Sequence, residues 1–464
     1  MGVPSRKTRF IRDAWSVDPV HADDALSTLG RHMLLDGYSM VLDVEDSRGS
    51  YLLDGLTGTK YLDFFSFFST APLGMNHPGL RDDEFVVRLG RAAVNKPSNA
   101  DIYTVQYAQF VEAFYRLLGD PDLPHLFFID GGALAVENAL KVAFDWKAQR
   151  LGVKEGDNSP PLVAMHLTGA FHGRSGYTLS LTNTDPRKTD LFPKFDWPRI
   201  TTPAVTFPQD ARSSAALAEA EATALAEAEA AFADPRWRVA CFIAEPIQGE
   251  GGDRHMRAAF LSAMQEMCRR NDALFVVDEV QTGCGLTGSA WAYQQLGLQP
   301  DLVAFGKRTQ VCGVMGGRRV DEVPDNVFRT SSRISSTWGG NLADMVRATR
   351  IFEVIEKEQL ILSAAVTGAR LVSGLRAIAG EHPDVMSNVR GRGLMCAFDL
   401  PHAACRDQLI EDLYRRHQVL VLPCGERGLR FRPALNVTAE EIDRGLDAVS
   451  AAVAELRAPV GQLS

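Results

Sequence analysis

Several residues able to do chemistry stand directly behind apolar runs, where a strand must end. Lys307 follows "LVAFG", Asp278 follows "LFVV" and Glu245 follows "ACFIA". Phe171 and His172 come shortly after "PLVAMHL", and Gly131, Gly132 and Ala133 follow "HLFFID". An acid or an amine at a buried strand end needs a partner, because desolvating either charge alone is costly. A salt bridge between Asp278 and Lys307 is the simplest arrangement, and it carries no chemistry. The alternative gives each residue its own task. A buried lysine is a nucleophile towards carbonyls and a base near neutral pH. An acid fixed nearby can hold a cationic ring nitrogen. Gly132 and Ala133, opening a helix, can offer backbone N–H groups to a phosphate, and Phe171 can stack on a flat ring.

One cofactor uses all of these at once: pyridoxal 5′-phosphate binds a lysine through a Schiff base and pairs its pyridinium nitrogen with an aspartate. The residues are far apart in sequence. They meet only if the intervening segments build an open α/β sheet, whose ligands lie beyond the carboxyl ends of the strands. The pattern supports that. "HLFFID" leads into "GGALAVENALKVAFDW", "PLVAMHL" into "TGAFHGRSG", and "VACFIAEPIQGEGG" precedes a helix from about Ala258. "ALFVVDEVQTGCG" precedes "SAWAYQQLG", and the run before Lys307 is a fifth strand. The alternation predicts α/β architecture: a mostly parallel central sheet with helices on both faces.

From about Asn341 the pattern changes to a long amphipathic helix, a second helix, short strands ("LMCAFDL", "VLVLP", "LRFRP") and a last helix from Ala439. The expected division is 1–70 as an N-terminal arm joining a small domain, 71–340 as the large cofactor-binding domain, and 341–464 as the linking helix and small α+β domain. The biased stretch "ALAEAEATALAEAEAAFA" reads as a surface helix with solvated charges. "GCGLTG" matches the dinucleotide pattern GxGxxG, but polar residues 278–282 separate it from its strand, so it misses the tight strand-to-helix turn.

Composition narrows the partners. The 464 residues carry a net charge of −9 with Lys and Arg scattered, which argues against nucleic acid or an anionic membrane as partner. The seven cysteines form no CxxC pair and no zinc or disulfide framework. The first twenty residues have no apolar core of signal-peptide or membrane-spanning length. A reducing cytoplasm is the expected location.

"AEPIQGEGG", "VVDEVQTG", "AFGK" and "RGRGLM", at their mutual spacing, resemble the class III pyridoxal-phosphate aminotransferases of fold type I. The resemblance runs from "YLDFFSFFSTAPLGMNHP" to "LRFRPALNVTAEEID". It implies that Lys307 is the Schiff-base lysine and Asp278 the partner of the ring nitrogen. Gln281 would hydrogen-bond the ring hydroxyl, with Phe171 and Val280 on the two ring faces. Thr337, in "SSTWGGN", would reach the phosphate of a neighbouring subunit's cofactor, implying a homodimer with shared active sites. The phosphate segment departs from the family's Ser-Gly-Thr or Ser-Gly-Ser: here it is Gly131-Gly132-Ala133, without hydroxyls. Cys284 and Leu286 stand where relatives often place an aromatic and an arginine.

"GGALAVENALK", "GCGLTG" and "GKRTQVCGVMGGRR" together look like the L-lysine 6-aminotransferase branch. That branch moves the ε-amino group of lysine to 2-oxoglutarate, giving glutamate and α-aminoadipate 6-semialdehyde, which cyclises to piperideine-6-carboxylate. One site must therefore read two unlike substrates, and arginine is the natural carboxylate reader. By the resemblance, Arg174 reads the distal carboxylate of both, and Arg430 the carboxylate beside the reacting carbon of 2-oxoglutarate. Glu250 resembles a switch that pairs with Arg430 when lysine is bound and swings away for 2-oxoglutarate. Blander roles remain: Glu250 as a solvated charge in a Gly-rich turn, Arg430 paired with Glu426, and Arg432 and Arg392 as structural. Ornithine or 4-aminobutyrate transamination would use the same residues. A non-catalytic pyridoxal-phosphate-binding regulator is expected to carry an added DNA-binding module, for which the N-terminal arm has no room.

Overall fold

A computed structural model describes residues 20–154, 156 and 159–456; the N-terminal segment read above for a leader lies almost wholly outside them. The apolar runs form a seven-stranded sheet: β1 (His125–Ile129), β2 (Leu162–Leu167), β3 (Arg199–Ile200), β4 (Arg238–Ala244), β5 (Leu274–Asp278), β6 (Leu302–Phe305) and β7 (Cys312–Gly316). Their spatial order is β1-β7-β6-β5-β4-β2-β3. β7 runs antiparallel to β6 and β1, and the remaining pairs are parallel. All five expected strands are present. β3 is only two residues long and β7 is rich in glycine, so neither gives a strong apolar signal. Every residue of β5 and β6 is buried. This is why their sequences are unbroken apolar runs rather than alternating ones.

Helices Gly132–Leu151 and Ala258–Arg270 pack against this sheet. The Ala/Glu-rich helix starts at Ala211, earlier than its biased composition, because Asp210 and Ser213 form a capping box. Its expected solvated charges need correction at two positions: Glu221 is buried and ion-paired with Arg257, and Glu227 is half-buried and accepts from the Thr201 N–H and hydroxyl. "SAWAYQQLG" yields only a single helical turn, Ala292–Gln295. The "GCGLTG" run lies in the turns before it and packs against the C-terminal part: a Cβ on Gly288 would stand 2.9 Å from Ala365 Cβ. It opens no long helix, as a dinucleotide site requires.

The linking helix Leu342–Lys357 is closed by Glu358, and Gln359, with a left-handed φ of 53°, turns the chain into a second helix, Leu360–Glu381. That second helix is long and apolar enough to span a membrane by length and composition alone. Its residues Leu360, Ala364, Thr367, Gly368, Leu371, Val372, Leu375 and Ile378 are buried at helical spacing, as in a core helix. An antiparallel sheet in the order Ser387–Arg392, Met395–Asp399, Gly428–Phe431, Leu422–Cys424 follows, and then helix Ala439–Glu455. The N-terminal strands Leu42–Arg48, Tyr51–Asp54 and Lys60–Asp63 form a separate sheet with Val419–Leu420, which lies parallel to Lys60–Asp63. Tyr38 adds a hydrogen bond from its hydroxyl to the Val421 carbonyl at 2.7 Å.

Candidate active site

β6 ends at Phe305, and Lys307 follows with φ of 52°, opening a 3₁₀ turn, Lys307–Thr309. A left-handed non-glycine residue costs about 1–3 kcal/mol unless its surroundings impose it, and such strain gathers at functional sites. Burial, reinforced by the positive charge of Arg430, brings the Lys307 amine down to about 8, against the opposing pull of Asp278 and Glu245. Among the described residues Lys307 makes no ion pair with Asp278, so the salt bridge weighed from the sequence does not form.

Asp278 has other partners. Its Oδ2 lies 2.7 Å from His172 Nδ1, and its Oδ1 accepts from the Val280 N–H at 3.0 Å. Both side chains are buried. Glu245 accepts from the N–H groups of Phe171 and Gly249, each at 3.0 Å, and burial pushes its carboxyl up to about 7. The acids at the ends of β4 and β5 thus fix the loops that carry Phe171 and Val280.

A cavity of about 300 Å³ opens between these strand ends. Gly132, Ala133, Phe171, Asp278, Val280, Gln281 and Lys307 all line it, together with Arg174, His172 and Glu245. Gly132 begins a twenty-residue helix, so its orphan N–H groups and positive dipole end face the cavity. A Cβ on Gly132 would lie 2.8 Å from Val280 Cγ1, so only glycine leaves Val280 in place. Gln281 Oε1 accepts from Arg432 Nε and Nη2 at 3.0 and 2.8 Å, which occupies its acceptor and leaves its amide N–H groups free to donate.

An adjoining cavity of about 500 Å³ shares Phe171, Arg174, Gln281 and Lys307 and adds Phe68, Lys188, Glu250, Arg430 and Arg432. Glu250 Oε2 pairs with Arg430 Nη2 at 2.7 Å, and Oε1 with Lys188 Nζ at 2.5 Å. Burial would raise the Glu250 carboxyl, but Arg430 and Lys188 outweigh it and hold the group near 2. Glu250 is therefore no solvated charge, and Arg430 is not paired with Glu426. Arg174 is exposed, with no hydrogen-bond or ion-pair partner among the described residues. Arg432 pairs with Asp253 at 2.5 Å and Arg392 bonds Gln295 at 2.8 Å.

Thr337 stands apart: it is exposed in a turn and lines neither cavity. Sequence reasoning missed Lys188, Phe68, the Arg432–Gln281 contact and the direct bond from His172 to Asp278. The histidine had a signal, its place beside Phe171. Lys188 sits in "DPRKTD", an ordinary polar turn, and had none.

Comparison with known proteins agrees with this geometry. Residues 35–453 match the family model for aminotransferase class III. The chain is 62% identical to the L-lysine-epsilon aminotransferase of Amycolatopsis lactamdurans, over 93% of this chain and 96% of that protein. It is 59% identical to the enzyme of the same name from Streptomyces clavuligerus, over 95% and 96%. A solved lysine aminotransferase from M. tuberculosis, in its internal aldimine form, superposes with a TM-score of 0.91 at 56% identity, covering 94% of this chain and all of that one. With the family match spanning most of its length and the strand-end cluster in place, this chain belongs to the class III aminotransferases.

Proposed function

We propose that the protein transfers the ε-amino group of L-lysine to 2-oxoglutarate in a ping-pong cycle, with pyridoxal 5′-phosphate as cofactor. The observation that carries the substrate pair is Glu250 bound to Arg430 in a cavity where Arg174 has no partner. The residues present fit the cofactor: a half-buried lysine without a salt bridge, a buried carboxylate held by two donors, and a helix N-terminus whose first residue tolerates no side chain. When bound, pyridoxal phosphate supplies an electron sink for the carbon that loses a proton.

Each residue then has a task. Lys307 tethers the cofactor and, with its lowered pKa, has an Nζ able to take the proton from the substrate's ε-carbon and return it. Asp278, fixed by its contacts with His172 and the Val280 N–H, would be the partner of the ring nitrogen. Gly132 and Ala133 offer backbone N–H groups to the phosphate. Gln281 would donate to the ring hydroxyl, and Phe171 and Val280, which line the same cavity, would cover the ring faces. Arg174 reads the distal carboxylate of both substrates. Glu250 neutralises Arg430 while lysine's methylenes lie there, and gives Arg430 up to the proximal carboxylate of 2-oxoglutarate. The working form in this reading is a homodimer in which Thr337 reaches the neighbouring subunit's phosphate. Its location is the cytoplasm, consistent with seven free, buried cysteines.

The test is an absorbance spectrum of the purified protein. Adding L-lysine without a keto acid should bleach the visible cofactor band, and 2-oxoglutarate should restore it. A band that ignores lysine but responds to ornithine or 4-aminobutyrate would keep the reaction and overturn the substrate. Glu250→Ala should blur the discrimination between lysine and 2-oxoglutarate while the cofactor stays bound. Loss of the cofactor in that variant would remove the switch role.

A further inference from the structure

Glu250 is held by two cations, not one. Arg430 takes Oε2 and Lys188 takes Oε1, and both cations line the same cavity as Arg174. Lys188 comes from the short turn Pro186–Lys188, on a different segment from the strand Gly428–Phe431 that carries Arg430. Its ammonium also sits 5.8 Å from the centre of the Phe171 ring. The Glu250 and Lys188 side chains are 27% and 29% exposed, so the pair is largely screened from water, although open enough to move.

When a carboxylate binds Arg430, Glu250 must let it go. A largely buried carboxylate released without a partner loses a charge pair that water does not fully replace. With Lys188 already on its other oxygen, Glu250 remains paired and charged throughout. We infer that Lys188 is a positioning residue for substrate exchange: it is the second anchor of Glu250, and it eases the release of Arg430 to the carboxylate beside the reacting carbon. The inference rests on the substrate pair proposed above. It predicts an asymmetry, because lysine leaves the Glu250–Arg430 pair closed whereas a keto diacid must open it.

Lys188→Met removes the second anchor, so Glu250 competes for Arg430 undivided. In the cofactor-loaded protein, glutarate, a non-reacting dicarboxylate, should bind about tenfold more weakly by calorimetric titration. KM for 2-oxoglutarate should rise in proportion, while KM for lysine changes far less and the cofactor band is unaltered. Lys188→Arg should restore binding. The decisive variant is Glu250→Ala with Lys188→Met. If Lys188 acts through Glu250, adding K188M to E250A changes glutarate binding little. If K188M weakens glutarate equally with and without Glu250, Lys188 only attracts anions and the inference is overturned. Glutarate binding by K188M equal to that of the unaltered protein also overturns it. Failure of the unaltered protein to react with lysine would instead sink the substrate reading, whatever K188M does.

Discussion

At the scale of single residues, the site is a set of charges whose partners fix their work. Lys307 is the clearest case. Its pKa of about 8 lies below the ordinary lysine value, so burial costs stability fully below about pH 8. That cost is relieved as pH rises towards 10.5, where the unfolded chain's lysine also loses its proton. The same shift leaves a usable neutral fraction of the amine, about one in ten at pH 7. Reconstitution of cofactor-free protein, followed by absorbance, should therefore accelerate with pH and level off above about 8. A rate still climbing at pH 10 would show that Lys307 keeps its ordinary pKa. Arg174, with no partner of its own among the described residues, should matter to both half-reactions. Arg174→Gln should raise KM for lysine and for 2-oxoglutarate, each by about ten- to a hundredfold, the worth of a charge-assisted carboxylate contact. A rise for only one of them would mean that the two distal carboxylates are read by different residues.

At the scale of elements, the site depends on turns whose strain is held by hydrogen bonds. Ser66, Phe67, Phe68 and Ser69 all have left-handed φ, from 39° to 73°, and Phe68 lines the larger cavity. The turn is pinned by Asp63 Oδ1, which accepts from the Phe65 and Ser66 N–H groups at 2.8 and 2.7 Å, and by Arg308, whose Nε donates to Ser69 Oγ at 2.9 Å. Asp63→Ala should cost about 1–3 kcal/mol in denaturant unfolding, and Asp63→Asn less, since it keeps an acceptor. Burial raises the Asp63 carboxyl to about 6, so its share of stability falls as pH rises from about 4 through 6, and that slope should be missing in D63N. Equal losses in D63A and D63N would move the role from the hydrogen bonds to the charge facing Arg308. Gly132→Ala should push Val280 out of place and cost about 1–3 kcal/mol of cofactor retention, measured by dialysis.

These elements also mark how far the sequence could be read. Strands β4, β5 and β6 were legible because burial on both faces leaves unbroken apolar runs, and Glu245, Asp278 and Lys307 were legible because they end them. The left-handed turn was not, because nothing in "SFFS" names it: besides the neighbouring Asp63, contacts with Arg308 and Arg432, distant in sequence, impose its conformation. Lys188 was illegible for the same reason. Its meaning lies in Glu250, 62 residues later, across the cavity.

At the scale of the whole molecule, the position of Thr337 decides how many chains make one site. It is exposed in a turn and lines neither cavity of its own chain, although Gly131-Gly132-Ala133, the segment proposed above to hold the phosphate, offers no hydroxyl of its own. A hydroxyl supplied by a neighbouring subunit would compensate for that missing donor. Two variants separate the possibilities. In a hybrid of one Lys307→Ala and one Thr337→Ala subunit, isolated with two affinity tags, the only intact lysine sits in the T337A chain. If Thr337 serves the neighbour, that lysine's cofactor meets an intact threonine from the K307A chain. The hybrid should then hold one cofactor per dimer as firmly as the unaltered protein on dilution, and should show about half its activity. If Thr337 serves its own chain, the hybrid's cofactor should leave as fast as from the T337A homodimer and faster than from the unaltered protein; if it serves none, the T337A homodimer itself should hold its cofactor as firmly as the unaltered protein. Either result would make the shared-site arrangement wrong, and the second would leave the cofactor's phosphate to the backbone at Gly132 and Ala133 alone.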